Sequence, residues 1–440
     1  MTGDEPSEPG SVRARLALQA RLIVQWVALG ALVGVACGAA SAAFLALLEL
    51  ATGFRVSHGW MVYLLPFAGL LIGLVYQRWG TSIKGGNNLI IDTIHDGSAQ
   101  IPLRMAPMVL IGTVLTHLFG GSAGREGTAV QMGASLADEI AHRFRLGPDL
   151  RRAVLAAGIA GGFGSVFGTP VAGLVFGLEV ICIGRIEYEA LVPALVASVV
   201  GDQVTRALGI VHPAYPTVPY LALSPLVMGK LVVIGAAMAA ATVAFVELTH
   251  LLKARLERHV PRLPLRMLLG GAVVVGLWQL LGSSDYLGLG VPTILRAFHD
   301  PGLPAYAFAA KLVLTAVTLA CGFLGGEVTP LFFVGATLGS VLARLLGLPL
   351  ELGAGVGLAA VFGAAANTPL ALSIMVVELV GAAALPHVVI VTVVSYLLTG
   401  HRGIYPAQRL LRRKHGPALP HAIPLRDYRE APVAKPPREK

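Results

Sequence analysis

Charge is scarce in this chain. Only 13% of its 440 residues are Asp, Glu, Lys or Arg, too few for an ordinary soluble surface or for a long disordered segment. Cysteine is scarcer still: Cys37, Cys182 and Cys321 stand singly among apolar neighbours. That excludes a disulfide framework and any cysteine-based metal spacing, and leaves them as small packing residues. There is no His-Glu-x-x-His, no pair of aspartates within an apolar segment and no nucleophile elbow, which argues against an enzyme working inside a membrane. What is abundant is apolar: 55% of residues are hydrophobic and the mean hydropathy is +0.74, values of an integral membrane protein. Fifty-three glycines suit close helix packing and helices interrupted within the bilayer.

The net charge of +9 does not indicate nucleic acid, because the basic residues sit mainly in tails and loops. Arg13, Arg15 and Arg21 precede the first apolar run, and Arg402, Arg409, Arg412, Arg413 and Lys414 follow the last. This asymmetry predicts cytoplasmic termini, with anionic lipid as a secondary contact. The first run, Leu22 to Leu48, is too long for a signal-peptide core and reads as a retained, tilted span of about 40 Å. Residues 1–20 and 415–440 read as polar, mobile tails without room for a soluble domain.

Two motifs recur in order. Gly124-Arg125-Glu126-Gly127-Thr128 has a counterpart in Gly325-Gly326-Glu327-Val328-Thr329-Pro330, with Glu126 and Glu327 offset by 201 residues. Thr169-Pro170 with Glu179 has a counterpart in Thr368-Pro369 with Glu378, offset by 199. The chain therefore reads as a duplication: a first membrane repeat over 21–205, a connection over 206–225 containing Pro213, Pro216, Pro219 and Pro225, and a second repeat over 226–414. Short apolar runs cluster around the motifs, which predicts broken or re-entrant helices. Such backbone survives at membrane depth only when buried in protein or lining a polar cavity, and in transporters it marks the binding site.

Glu126 is the residue on which the chemistry turns. It is either a loop carboxylate paired with Arg125 or a protonatable gate. A partly dehydrated carboxylate exchanges protons at accessible pH; ionised, it occupies an anion site, and protonated, it leaves. A helix beginning at Gly127 would aim free N–H groups at that site. Gly85-Gly86-Asn87-Asn88 is an ordinary turn or, at a helix start, a source of amide donors for an anion. Thr329 caps the helix that Pro330 opens and could also face a ligand. Glu327 is an ion-pair partner or a proton relay, and Tyr405 an interfacial anchor or a phenol in the anion path. Asp92, Glu126 and Glu327 could together hold a cation, but the Asn and N–H donors favour an anion. Glu179 and Glu378 read as lining aqueous vestibules or pairing locally, and His95, His117 and His401 lack ligand spacing.

At these residues the chain resembles the CLC family of chloride channels and anion/proton exchangers, and within it the bacterial fluoride-exporting branch. The resemblance covers nearly the whole chain. It implies an all-α polytopic membrane protein, a CLC-type fold of two inverted-topology repeats with broken and re-entrant helices. It also implies a homodimer in the cell inner (plasma) membrane, with both termini cytoplasmic and no regulatory domain. Gly124-Arg125-Glu126-Gly127 matches the gating-glutamate motif. Gly86-Asn87-Asn88-Leu89 stands where chloride types have Gly-Ser-Gly-Ile-Pro, with the central Ser on Asn87 or, by a one-residue slip, Asn88. Gly326-Glu327-Val328-Thr329-Pro330 replaces Gly-Ile-Phe-Ala-Pro, and Tyr405 matches the pathway tyrosine.

The implied function is a fluoride/proton antiporter, with a chloride-selective exchanger or passive anion channel as the alternative. Gly86, Asn87, Asn88, Gly127, Val328, Thr329 and Tyr405 would bind the anion, and Glu126 and Glu327 would carry the proton. Val180 follows Glu179 where chloride/proton exchangers have an internal glutamate, so the proton route must differ, with Glu327 as its candidate. No cofactor is expected beyond a structural Na+ at the dimer interface, for which no motif places ligands.

Overall fold

The computed structural model describes residues 12–97, 100–416 and 418–428, without the side chains of 12–15 and 18. The expected tails at 1–11 and 429–440, and the side chains of Arg13 and Arg15, lie outside the described residues. The first repeat contains α1 (Val12–Ser57), α2 (Leu65–Trp79), α3 (Asn87–Asp96), α4 (Met105–Leu118), α5 (Glu126–Arg143), α6 (Pro148–Phe167), α7 (Pro170–Glu179) and α8 (Leu191–Ala207). Residues 208–224 carry no helix. The second contains α9 (Pro225–His259), α10 (Leu263–Leu281), α11 (Val291–Arg296), α12 (Ala307–Ala320), α13 (Val328–Leu346), α14 (Leu350–Ala365), α15 (Pro369–Val380) and α16 (Leu385–Leu398). Helix for helix, the second eight repeat the first.

Equivalent helices lie antiparallel, so the repeats are inverted. Along the α2–α10 contact Gly69 faces Met267, Gly73 faces Pro264, and Gly271 faces Pro66; one helix ascends as the other descends. Gly124 and Gly326 form an antiparallel bridge, with N–H···O distances of 2.6 and 2.8 Å. The ends of α7 and α15 are also exchanged: Glu179 accepts from Leu370 N (3.1 Å) and Ala371 N (2.8 Å), while Glu378 accepts from Val171 N (3.0 Å) and Ala172 N (2.7 Å). Each carboxylate thus satisfies free N–H groups at the start of the other repeat's helix. This corrects the expectation of local pairing for both residues.

The apolar runs at 153–180 and 353–380 are each two helices, and local chemistry breaks them at equivalent places. Gly168 (φ 75°) and Asn367 (φ 57°) adopt the left-handed conformation that ends a helix, and the Thr-Pro pair then starts another with Pro at its first position. Asn367 donates its amide to Arg402 O and Gln408 Oε1, both at 3.1 Å. Close packing depends on missing side chains: a methyl at Gly335 on α13 would overlap Gly357 O on α14, and one at Gly133 on α5 would overlap Gly158 O on α6.

Among the described residues six helical segments are long and apolar enough to cross a membrane by themselves, while α4, α7, α12, α14, α15 and α16 are shorter apolar helices. Two expectations about the termini differ from the structure. Helix α1 starts within the supposed polar segment and runs for 46 residues, about 69 Å at 1.5 Å per residue, more than twice the hydrocarbon thickness. At the other end the chain does not leave the fold at 415. Strands β1 (Cys182–Ile183), β2 (Arg409–Arg412) and β3 (Ala418–Pro424) form a small sheet, β1 parallel and β3 antiparallel to β2. Ile183, Leu410 and Leu425 pack beneath it. Gln408 ties this end to both repeats through Val180 O (2.9 Å) and Ala366 O (2.8 Å). All three cysteines are buried, and none forms a disulfide.

Candidate functional site

The site lies where the two broken segments meet at the Gly124–Gly326 bridge. Glu126 is the first residue of α5, one position earlier than expected, and is fully buried. Its carboxylate turns to the other repeat: Oε1 accepts a short bond from the Thr329 hydroxyl, and Oε2 accepts from Thr329 N at 3.2 Å. Arg125 N donates to Oε2 at 3.1 Å, and Arg125 Nε lies 3.4 Å from Oε1. Val328 and Thr329, both buried, open α13, whose first N–H groups have no partner within the helix. The Glu126 carboxylate therefore rests against a helix N-terminus and a hydroxyl, donors of the kind that suit a negative charge.

Gly127 brings the backbone close enough for the asparagines to matter. A methyl there would lie 3.1 Å from Gly326 Cα and 3.3 Å from Asn87 Nδ2. Asn87 is the first residue of α3, and its Oδ1 is buried without a partner. Gly86 precedes it at φ 55°, ψ −131°, backbone that a side chain would strain. Asn88 is directed differently: its Oδ1 accepts from Ala407 N at 3.0 Å, fixing the turn that follows Tyr405. Of the two, Asn87 is the one beside Gly127.

Tyr405 is buried (4% exposed) and lines a cavity of about 10 Å³ with Asn87, Val130, Phe176 and Val180. It is not an exposed anchor. Glu327 is half-buried and faces a cavity of about 530 Å³ that also meets Asn88, His250, Lys253 and Arg402. Among the described residues Glu327 makes no ion pair. The structure thus brings Glu126, Gly127, Thr329 and Asn87 together, puts Tyr405 on the small cavity with Asn87, and places Glu327 and Asn88 on the larger cavity.

Asp92 is committed elsewhere, to Arg426 (2.9 Å) and Arg409 (3.3 Å). Among the described residues no three His, Cys, Asp or Glu side chains converge on a metal position. Sequence reasoning named Thr128 only as part of the repeated motif and passed over Thr113, whose buried hydroxyl lies 2.7 Å from that of Thr128, two residues after Glu126. It also passed over Lys311, although a lone Lys inside an apolar run is visible in the sequence.

Two inverted helical repeats meeting at a buried carboxylate and paired helix starts define a multi-pass membrane protein that moves ions. Residues 68–400 match the family model for voltage gated chloride channels, and the chain belongs to that family, the CLC proteins. It is 48% identical to the "Chloride/fluoride channel protein" of Pseudomonas syringae pv. tomato, over 93% of this chain and 91% of that one. It is 26% identical to the "H(+)/Cl(-) exchange transporter ClcA" of Vibrio cholerae, over 69% and 68%. A crystal structure of a CLC-type fluoride/proton antiporter matches with a TM-score of 0.85 and 37% identity, covering 88% of this chain and 98% of that chain.

Proposed function

We propose that this chain is a fluoride/proton antiporter that exports cytoplasmic fluoride in exchange for proton entry. The carrying observation is the Glu126 carboxylate held by the hydroxyl and N–H of Thr329. An ionised Glu126 and a small anion compete for those donors. A proton on Glu126 replaces one acceptor oxygen by a hydroxyl, weakens its hold on the donors and yields the place to the anion. Each exchange then moves the anion and the proton in opposite directions.

Fluoride fits these donors better than chloride does. It is small and strongly hydrated, so entry must be offset by short hydrogen bonds from groups such as the Asn87 amide and Thr329 hydroxyl. The relative named as a chloride/fluoride channel and the antiporter structure support the same reading. Gly86, Gly127 and Val328 serve it by letting the backbone approach the anion, Asn88 and Tyr405 by shaping the path beside Asn87, and Glu327 as the proton relay.

The protein works in the plasma (inner) membrane with both termini cytoplasmic, as the basic residues at each end favour. It acts as a homodimer. Supporting this, α8 exposes Leu191, Leu195 and Val199, and α16 exposes Leu385, Val389 and Val393 at matching four-residue steps. The deciding experiment is efflux from proteoliposomes, recorded with a fluoride electrode and a pH dye. Fluoride release accompanied by proton uptake, and slower release of chloride, is the expected result. Equal rates for both ions without proton movement would make the chain a passive anion channel.

A further inference from the structure

Behind the gate loop lies a group of buried basic side chains with no acid among them. Lys311, on α12, is fully buried. Its Nζ donates to Gly288 O at 2.6 Å and Tyr286 O at 3.1 Å and stands 5.5 Å from the centre of the Phe333 ring. Two carbonyl oxygens and a π face suit an ammonium and offer nothing to the lone pair of a neutral amine. Arg55 is 7% exposed and its Nε has no partner. Its guanidinium converges on the same turn, since a methyl at Gly288 would lie 3.3 Å from Arg55 Nη2 and 3.7 Å from His117 Cδ2.

His117, also fully buried, sets Nδ1 2.8 Å from Thr113 O and Nε2 3.0 Å from Ala123 O. Asp285 is next to Tyr286 in sequence, but it is half exposed and pairs with Arg296 at 3.3 Å. Among the described residues neither Lys311 nor Arg55 is in an ion pair.

Burying cations without counter-charge is costly, and residues of this kind inside a membrane persist where function needs them. Here they back directly onto the gate. Gly288 N donates to Gly121 O at 3.1 Å, Ser122 Oγ donates to Tyr286 O at 3.0 Å, and His117 meets Ala123, three residues before Glu126. Phe333, under the Lys311 ammonium, lies one helical turn beyond Thr329.

We infer that Lys311, assisted by Arg55, supplies a fixed positive charge behind the gate loop whose counter-charge is the transported anion or the ionised Glu126. Lys311 is then a positioning residue that sets how strongly the pathway draws anions, and it touches neither the anion nor the proton carrier. In a low-dielectric interior one unit charge nearby changes anion occupancy by about five- to tenfold. The inference rests on the anion-antiport reading above.

The test compares Lys311→Arg, Lys311→Gln and Lys311→Met in proteoliposomes over a range of internal fluoride. Arginine keeps the charge, glutamine keeps a donor for the two carbonyls without the charge, and methionine keeps neither. The expected result is near-wild-type behaviour for Arg and a half-saturating fluoride concentration raised about five- to tenfold for both Gln and Met. Arg55→Gln should raise it in the same direction, which keeps the test decisive if one Lys311 variant fails to fold. A wild-type response from Gln with failure of Met alone would make Lys311 a brace for the turn and overturn the inference. Should the wild-type protein carry chloride and not fluoride, the proposed function fails, while the same series read with chloride still tests Lys311.

Discussion

Glu126 and Thr329 belong to different repeats, 203 residues apart, yet the threonine gives the glutamate both its hydroxyl and its backbone N–H. The Glu126 carboxylate of one repeat therefore rests in the helix N-terminus of the other.

Thr329→Val keeps the shape and the backbone N–H while removing the hydroxyl. A hydrogen bond to a charged group contributes about 1.5–3 kcal/mol, so fluoride transport at limiting concentration should fall by ten- to a hundredfold. Thr329→Ser should retain most of it. Initial rates in proteoliposomes at low fluoride measure this, and an unimpaired valine variant would exclude the hydroxyl from the anion path.

Asn87 and Asn88 should separate cleanly. Asn87→Ala removes an amide beside Gly127 and is expected to narrow the preference for fluoride over chloride by about tenfold, the weight of one strong hydrogen bond. Asn88→Ala should instead lower thermal stability, by about 1–2 kcal/mol, because it strips the acceptor from Ala407 N. Paired flux and melting measurements on both variants check the division.

The exchanged caps should act on stability. Glu179→Ala leaves two N–H groups at the start of α15 without their acceptor, at a cost of about 2 kcal/mol. Glu378→Ala should cost less, because Glu378 is exposed and water can replace it at α7. Thermal unfolding in detergent reads both, and equal losses would contradict the burial difference.

Gly335→Ala should be among the most damaging small substitutions. A methyl there meets a backbone oxygen of α14, which no rotamer change can relieve. Failure to yield monodisperse protein, or a melting temperature lowered by many degrees, is the expected outcome.

Much of this architecture was legible in the sequence because a duplication repeats its punctuation. The Thr-Pro pairs and the two glutamate motifs marked the duplication, and the short apolar runs clustered around the motifs pointed to broken helices. Contacts between the halves were not legible. Nothing in the spacing of Glu179 or Glu378 says that each caps the other repeat, since that depends on the antiparallel placement of α7 and α15. The sheet was hidden for a similar reason: β1 is two residues long, and its partner lies more than 220 positions later. Asn87 and Asn88 are chemically identical neighbours, and only the folded positions of Gly127 and Ala407 distinguish them. Lys311 was visible as a letter, but its lack of an acidic partner is a property of the folded chain.

The most direct measurement is proton uptake accompanying fluoride efflux in proteoliposomes of the wild type and of Glu126→Gln, a side chain of similar shape that carries no exchangeable acid. The account predicts coupled proton and fluoride movement in the wild type and no proton movement in the variant, whatever fluoride still passes. Proton uptake that continues unchanged in Glu126→Gln would contradict it.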